Sequence, residues 1–243
     1  MKTDLEFLDY LRLSSVFLEF FAMALALATY PLLKKSSAKY IAVILVLTVL
    51  VEILGGTISF SFKYYENSMF IQYLLMFFPE DLLRMNIWIF NINYIFVFAL
   101  YFMYYDSLIQ QKYDRIIIRV LAVIFPFVVF LDFYFNIETL NRSLMRGILI
   151  YGSLSLFLAS TLYFKKILLG NQTQKITSSL DFWIVLSISV FYISVIPLFL
   201  FAHKLNFTHS TYVILLIALN YIHYGLFITG FIINSRNQHS LEK

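Results

Sequence analysis

Two glutamates, Glu19 and Glu52, stand inside apolar runs long enough to cross a bilayer. A charged side chain at the centre of a membrane costs at least ~2.5–3.5 kcal/mol, so each needs a partner or a task. The chemistry open to such a pair is proton binding, ligand binding or hydrogen bonding between helices. At about 1.5 Å per residue, Glu19 lies roughly 13 Å below the outer end of its run and Glu52 roughly 15 Å below the outer end of the next. The two share a layer. On the first run Ser15, Glu19, Ala22, Ala26 and Thr29 form one stripe, and on the second Thr48, Glu52, Gly55 and Ser59 do the same. Small and polar residues mark helix–helix faces in membranes, so both glutamates are expected to point inward.

Other polar groups fall at compatible depths. The third run carries Asn91 and Asn93, the fifth Tyr151 and Ser153, the sixth Trp183 and Tyr192, and the seventh Asn220, His223 and Tyr224. Asn91 and Asn93 are about 200° apart, so only one faces the centre and the other bonds a neighbour. His223 is the one deep base, and its natural partner is a glutamate. The expected site is therefore an outward-facing polar cavity in the outer half of the bundle. Its lining is Glu19, Glu52, Asn91, Asn93, Tyr151, Tyr192, Asn220, His223 and Tyr224, and its ligand a small molecule or a proton. The plainer reading makes the asparagines interhelical glue and most aromatic residues core filling or, for Trp183, an interfacial anchor.

Several chemistries are excluded. Without cysteine there is no disulfide, thiolate ligand or thiol nucleophile. Of four histidines only His223 is deep; His203 and His209 fall near the outer interface and His239 in the tail, so no metal site or cofactor is expected. Gly152-Ser153 lacks the glycine-flanked context of a serine nucleophile, and the seventh run has no lysine for a retinal Schiff base. An enzyme is not expected.

The elements that must position these groups follow from composition. The 243 residues are 61% hydrophobic and 13% charged, with mean hydropathy +0.81. Soluble domains carry about 25% charged residues. Seven apolar runs, at 10–33, 40–62, 86–108, 116–135, 146–164, 181–203 and 211–233, predict an all-α polytopic membrane protein with one seven-helix domain. Continuous runs without period-two alternation exclude a barrel. No cleavable signal peptide is expected, since Asp4, Glu6 and Asp9 crowd the first ten residues. Eleven of the 18 Lys and Arg fall on the side of Lys34, Lys35, Lys112 and Lys165, against seven on the other. This bias predicts an outside N-terminus, a cytoplasmic C-terminus and residence in the inner membrane. The net charge of +4 then anchors the chain to anionic lipid rather than to nucleic acid.

Local signals add detail. Met69–Phe78 is too short to span and predicts an interfacial or re-entrant helix. Pro79, Glu80 and Asp81 look like the start of the third helix, running inward from outside the membrane. Pro126 and Pro197 should bend the fourth and sixth helices. Asp114-Arg115 reads as a solvated charge cluster. Lys34-Lys35 matches Lys165-Lys166, and Asn91 matches Asn220, both at offsets of about 130 residues. This pattern fits parallel three-helix repeats joined by an inverting helix, the plan of SWEET sugar transporters. The proline–glutamine motif of that superfamily is absent, since Tyr30-Pro31 is not followed by glutamine.

The segments LSSVFLEFFA (13–22), FNINYIFVFALYF (90–102), YGSLSLFLASTLYFKKIL (151–168), FWIVLSISVFY (182–192) and ALNYIHYGLFITGF (218–231) resemble a set of small, uncharacterised seven-helix membrane proteins of Bacteroidota-type bacteria. Such proteins are often encoded beside sensor kinases. The resemblance implies a signalling role with a kinase or other membrane partner. Two readings follow: a membrane sensor or accessory signalling subunit, and a small-solute or proton-coupled transporter using the same cavity.

Overall fold

The computed structural model describes residues 2–66, 68–169, 176–201 and 209–241, without the side chains of 2–9, Arg12, 199–201, 209–210 and 238–241. The expected outer end of the sixth run at 202–203, the interfacial positions of His203 and His209 and the tail position of His239 lie outside the described residues or side chains. So do Lys2, Arg12, Lys175, Lys204 and Lys243 of the charge count.

The described chain is helical throughout its length, as its apolar runs require: backbone groups in hydrocarbon must be satisfied within the segment. In order the helices are α1 (Lys2–Ala28), α2 (Tyr30–Leu33), α3 (Lys39–Tyr64), α4 (Met69–Leu75), α5 (Glu80–Met85), α6 (Ile87–Leu108), α7 (Lys112–Asn136), α8 (Arg146–Leu169), α9 (Leu180–Phe201) and α10 (His209–Leu241). Six of them, α3 and α6 to α10, are long and apolar enough to cross a membrane, while the apolar part of α1, Leu13–Ala28, is shorter. This is the make-up of a polytopic membrane protein.

The seven long helices pack in chain order as a closed ring: α1 on α3, α3 on α6, α6 on α7, and so on to α10, which returns to α1. An additional contact joins α6 to α8 across the ring. Gly152 makes that crossing close, because a Cβ there would meet the Phe98 ring at 2.5 Å. The core runs along α6, where Phe98, Tyr101, Phe102, Tyr104 and Tyr105 are all buried. By contrast α7 turns Val120, Val123, Ile124, Phe127 and Phe130 outward.

Two boundaries differ from the sequence reading. The first run divides: α1 stops at Ala28 and Pro31 opens the short α2. Proline has no N–H to continue a helix but suits its first turn. The start at Pro79 is real but leads only into α5, not into the third spanning helix. Asn86 ends α5 in the left-handed conformation (φ 44°), and α6 begins afresh at Ile87. Asparagine tolerates this backbone better than most residues, and its amide donates to Gly55 O (2.8 Å) and Ser59 Oγ (2.9 Å) on α3. Pro126 and Pro197 are carried inside helices that continue past them.

The 63–85 connection holds α4, whose N-cap Ser68 accepts from Ile71 N. Ile71 alone of the helix is fully buried, in a small cluster with Ile58, Phe62 and Leu83. Met69, Tyr73, Met76 and Phe77 stay exposed, Met69 at 89%. Arg84 ties the segment down by pairing with Glu80 (2.6 Å) and Glu66.

The packing at Gly152 is testable. Gly152→Ala should destabilise the bundle by about 1–3 kcal/mol, the usual cost of overpacking, seen as a lower unfolding midpoint in detergent. Gly56→Ala and Gly225→Ala, where a Cβ meets nothing within 4 Å, should leave the midpoint unchanged or raise it. An unchanged midpoint for Gly152→Ala would reject the tight α6–α8 crossing.

Candidate functional site

A cavity of about 130 Å³ opens where α1, α3, α6, α9 and α10 converge. Glu19 comes from α1, and Thr48 and Glu52 from α3; Asn93, Tyr94 and Tyr101 come from α6, Tyr192 from α9, and Asn220, His223 and Tyr224 from α10. Ile44, Leu45, Phe90, Val97, Phe191 and Phe227 complete the wall. At about 30 Å³ per water the space holds roughly four. Drug-sized ligands occupy about 300–1,000 Å³, so the cavity suits water, a proton or a very small solute.

Helix periodicity explains the position of Glu19. Ser15, Glu19, Ala22, Ala26 and Thr29 are all buried, whereas Leu13, Phe17, Phe20 and Phe21 face outward. Glu19 is 5% exposed. Tyr224 and Glu52 line the same cavity beside it. Glu19 Oε2 is buried with no hydrogen-bond partner among the described residues. Most buried polar atoms are bonded, and this oxygen instead stands beside a cavity large enough for water. Glu52 is only half-buried, at the edge of the buried face of α3 that runs through Ile41, Leu45, Val49 and Gly55. It stands at the midpoint of α3, and the α3 lining continues toward Lys39 rather than away from it. The cavity therefore meets α3 between its midpoint and its Lys39 end.

His223 pairs with a serine, not with a glutamate. Its Nδ1 is 2.7 Å from Ser187 Oγ, and Ser187 Oγ is 2.8 Å from the His223 carbonyl oxygen. One arrangement uses both contacts: Nδ1–H donates to Ser187, and the serine hydroxyl donates to the carbonyl. This leaves Nε2 as the ring's acceptor. Phe191 and Phe227 hold the imidazole at 4.6 and 4.5 Å between ring centroids. Ser187 is fully buried and does not line the cavity, so the pair orients the histidine and does not form an accessible nucleophile.

Of the nine expected lining residues the structure brings seven together. Asn91 and Tyr151 are elsewhere. Asn91 is 1% exposed and serves the loop before α8, donating to Leu140 O (2.7 Å) and Ser143 O (3.1 Å) and accepting from Met145 N (2.9 Å). Asn93 is the asparagine that faces the centre. Tyr151 donates to Leu121 O (2.9 Å) and stacks on Phe125, on the α7 side of the ring. The matched pair Asn91 and Asn220 thus has two unlike roles, a loop anchor and a cavity residue, which weakens the repeat plan. Ser153 is buried outside the cavity, its hydroxyl unpaired among the described residues.

Tyr94 and Tyr101 were not singled out by sequence, although they follow Asn93 around α6 at helical spacing. Asp132, which the sequence offers only as one of the acids on the N-terminal side, has a structural role. It is buried on α7 and accepts from Ile148 N (2.8 Å) and Asn136 Nδ2 (2.8 Å), closing the start of α8. Its signal was an acid late in an apolar run. No three acidic or histidine side chains gather as a metal set among the described residues. Compared with protein-family models, curated proteins and solved structures, the chain matches none. Fold and site together therefore define only a class: a helical membrane bundle with a small buried polar cavity.

The two asparagines should separate structure from site. Asn91→Leu strands two carbonyls and one N–H, and should lower stability by about 1–3 kcal/mol or more in chemical or thermal unfolding. Asn93→Leu should stay near the wild-type midpoint. The reverse order would overturn their assignment.

Proposed function

We propose that this protein is a seven-span membrane sensor or accessory signalling subunit that binds and releases a proton, or a comparably small ligand, at Glu19 and Glu52. One observation carries the reading. Glu19 keeps a buried carboxyl oxygen unbonded beside a cavity of water size, with a second glutamate facing the same space. Interhelical glue has no use for an orphan oxygen.

The relay runs through α10. This helix supplies Asn220, His223, Tyr224 and Phe227 to the cavity wall. Its 33 residues extend about 50 Å against a hydrocarbon core of ~30 Å. The part beyond the core, around Arg236, lies on the lysine-rich side, taken as cytoplasmic, where Asn237 Nδ2 donates to Ser178 O (2.9 Å). The interhelical connections are too short to hold an output domain, so the reading calls for a partner, with a sensor kinase the expectation. Transport is the weaker reading. Below the cavity Tyr104, Tyr105 and Phe231 are fully buried, and a path to the second side would have to open through them.

Infrared difference spectra between acidic and alkaline buffer test the site. The wild-type protein should show a carboxylic C=O band that is lost in Glu19→Gln, reduced or shifted in Glu52→Gln, and unaffected by Asn91→Gln. Glutamine keeps size and most hydrogen bonding but cannot take up a proton, so unfolding midpoints should stay close to wild type. A band unchanged in the double variant would reject the proton site. Topology has its own check. A reporter fused after Lys243 should be active in the cytoplasm and silent in the periplasm, and the opposite result would invert the proposed relay.

A further inference from the structure

A second site lies on the outside of the ring. A groove of about 710 Å³ opens between α6 and α7, at the end next to the N-terminus of α3. Small or cramped residues, Ala99, Ala122 and Pro126, leave the gap, and Met103 and Val123 line it. Its mouth is charged. Asp106 accepts from Arg115 Nε (3.0 Å) and Nη2 (2.9 Å) and from Arg119 Nε (2.7 Å). Two guanidinium groups against one carboxylate leave a net positive charge. Lys39 adds another, held 5.0 Å over the ring of Tyr40, which also lines the groove. Each guanidinium has five N–H donors and spends only part of them on Asp106.

We propose that this groove is a binding site for one anionic phospholipid, its phosphate on Arg115 and Arg119 and an acyl chain between α6 and α7. The inference is independent of the glutamate cavity. Three observations support it. The mouth is positive, and although Arg115 and Arg119 both turn their Nε/Nη2 edges to Asp106, their Nη1 donors make no bond to it and both side chains are exposed, which suits phosphate oxygens. The body is apolar and opens onto the outward face of α7, where Val120, Val123 and Phe127 are exposed. From Arg115 to Pro126 the groove runs eleven residues, about 16 Å, which matches half of a ~30 Å hydrocarbon core, one leaflet. A free phosphate would use the mouth and leave the apolar body idle.

The test titrates the full chain in neutral detergent with phosphatidylglycerol, phosphatidylcholine of the same acyl chains, or inorganic phosphate, reading the unfolding midpoint. Phosphatidylglycerol should raise the midpoint saturably, and the other two should not. Arg115→Gln/Arg119→Gln should require at least roughly tenfold more phosphatidylglycerol for the same shift. That variant leaves Asp106 unpaired, so Ala122→Trp supplies a second arm that fills the groove and keeps every charge. It should lose the phosphatidylglycerol response as fully. Equal responses to the two lipids, an equal response to inorganic phosphate, or a wild-type response in Ala122→Trp would each overturn the proposal.

Discussion

A polar group withdrawn from water into this bundle must find its partner inside the protein, because the surrounding lipid offers none. That constraint orders most of the structure. Asn86 spends its amide on Gly55 and Ser59, Asn91 on the loop before α8, and Asp132 on the first turn of α8. Asp181 receives the hydroxyls of Ser37 and Tyr104. Each of these side chains fastens a helix end or a connection to a neighbouring helix. Among the described residues two buried side-chain atoms fall outside this pattern, Glu19 Oε2 and Ser153 Oγ, and only the glutamate borders the cavity.

The spanning helices were legible because hydropathy over some twenty residues averages out local detail. The stripe through Ser15, Glu19 and Thr29 was legible for the same reason, since one helix face repeats regularly. What escaped was decided by single contacts. Asn91 and Asn93 are equivalent in type and depth, and only the loop at 140–145 makes one of them an anchor. His223 takes Ser187 across the α9–α10 contact, although α1, with Glu19, also packs on α10; the choice rests on which face of α10 carries the ring. The helix start at Pro79 was correct chemistry with the wrong extent. It takes a left-handed residue at Asn86 to end the segment after six residues, and nothing in the type of residue 86 alone requires that.

The aromatic content has a structural use that composition alone obscures. Tyr101, Tyr104 and Tyr105 fill the centre below the cavity with rings while keeping hydroxyls for specific bonds, Tyr105 to Ser160 (2.6 Å) and Tyr104 to Asp181 (3.1 Å). These bonds tie α6 to α8 and to the start of α9, so the layer is dense and directional together.

The closure of the ring between its first and last helices has a consequence for synthesis. The ribosome delivers α1 and α3 early and α10 last, so Glu19 enters the membrane long before Tyr224 and His223 exist. Through most of translation the carboxyl group is held by the insertion machinery, by snorkelling toward a headgroup or by a transient neighbour, at a standing cost of a few kcal/mol. The final helix releases that cost when it docks. Assembly is therefore drawn toward completion as α10 closes over the acid, and a chain stalled before α10 leaves Glu19 on the open side of the ring, a mark by which quality control can tell it from a finished one.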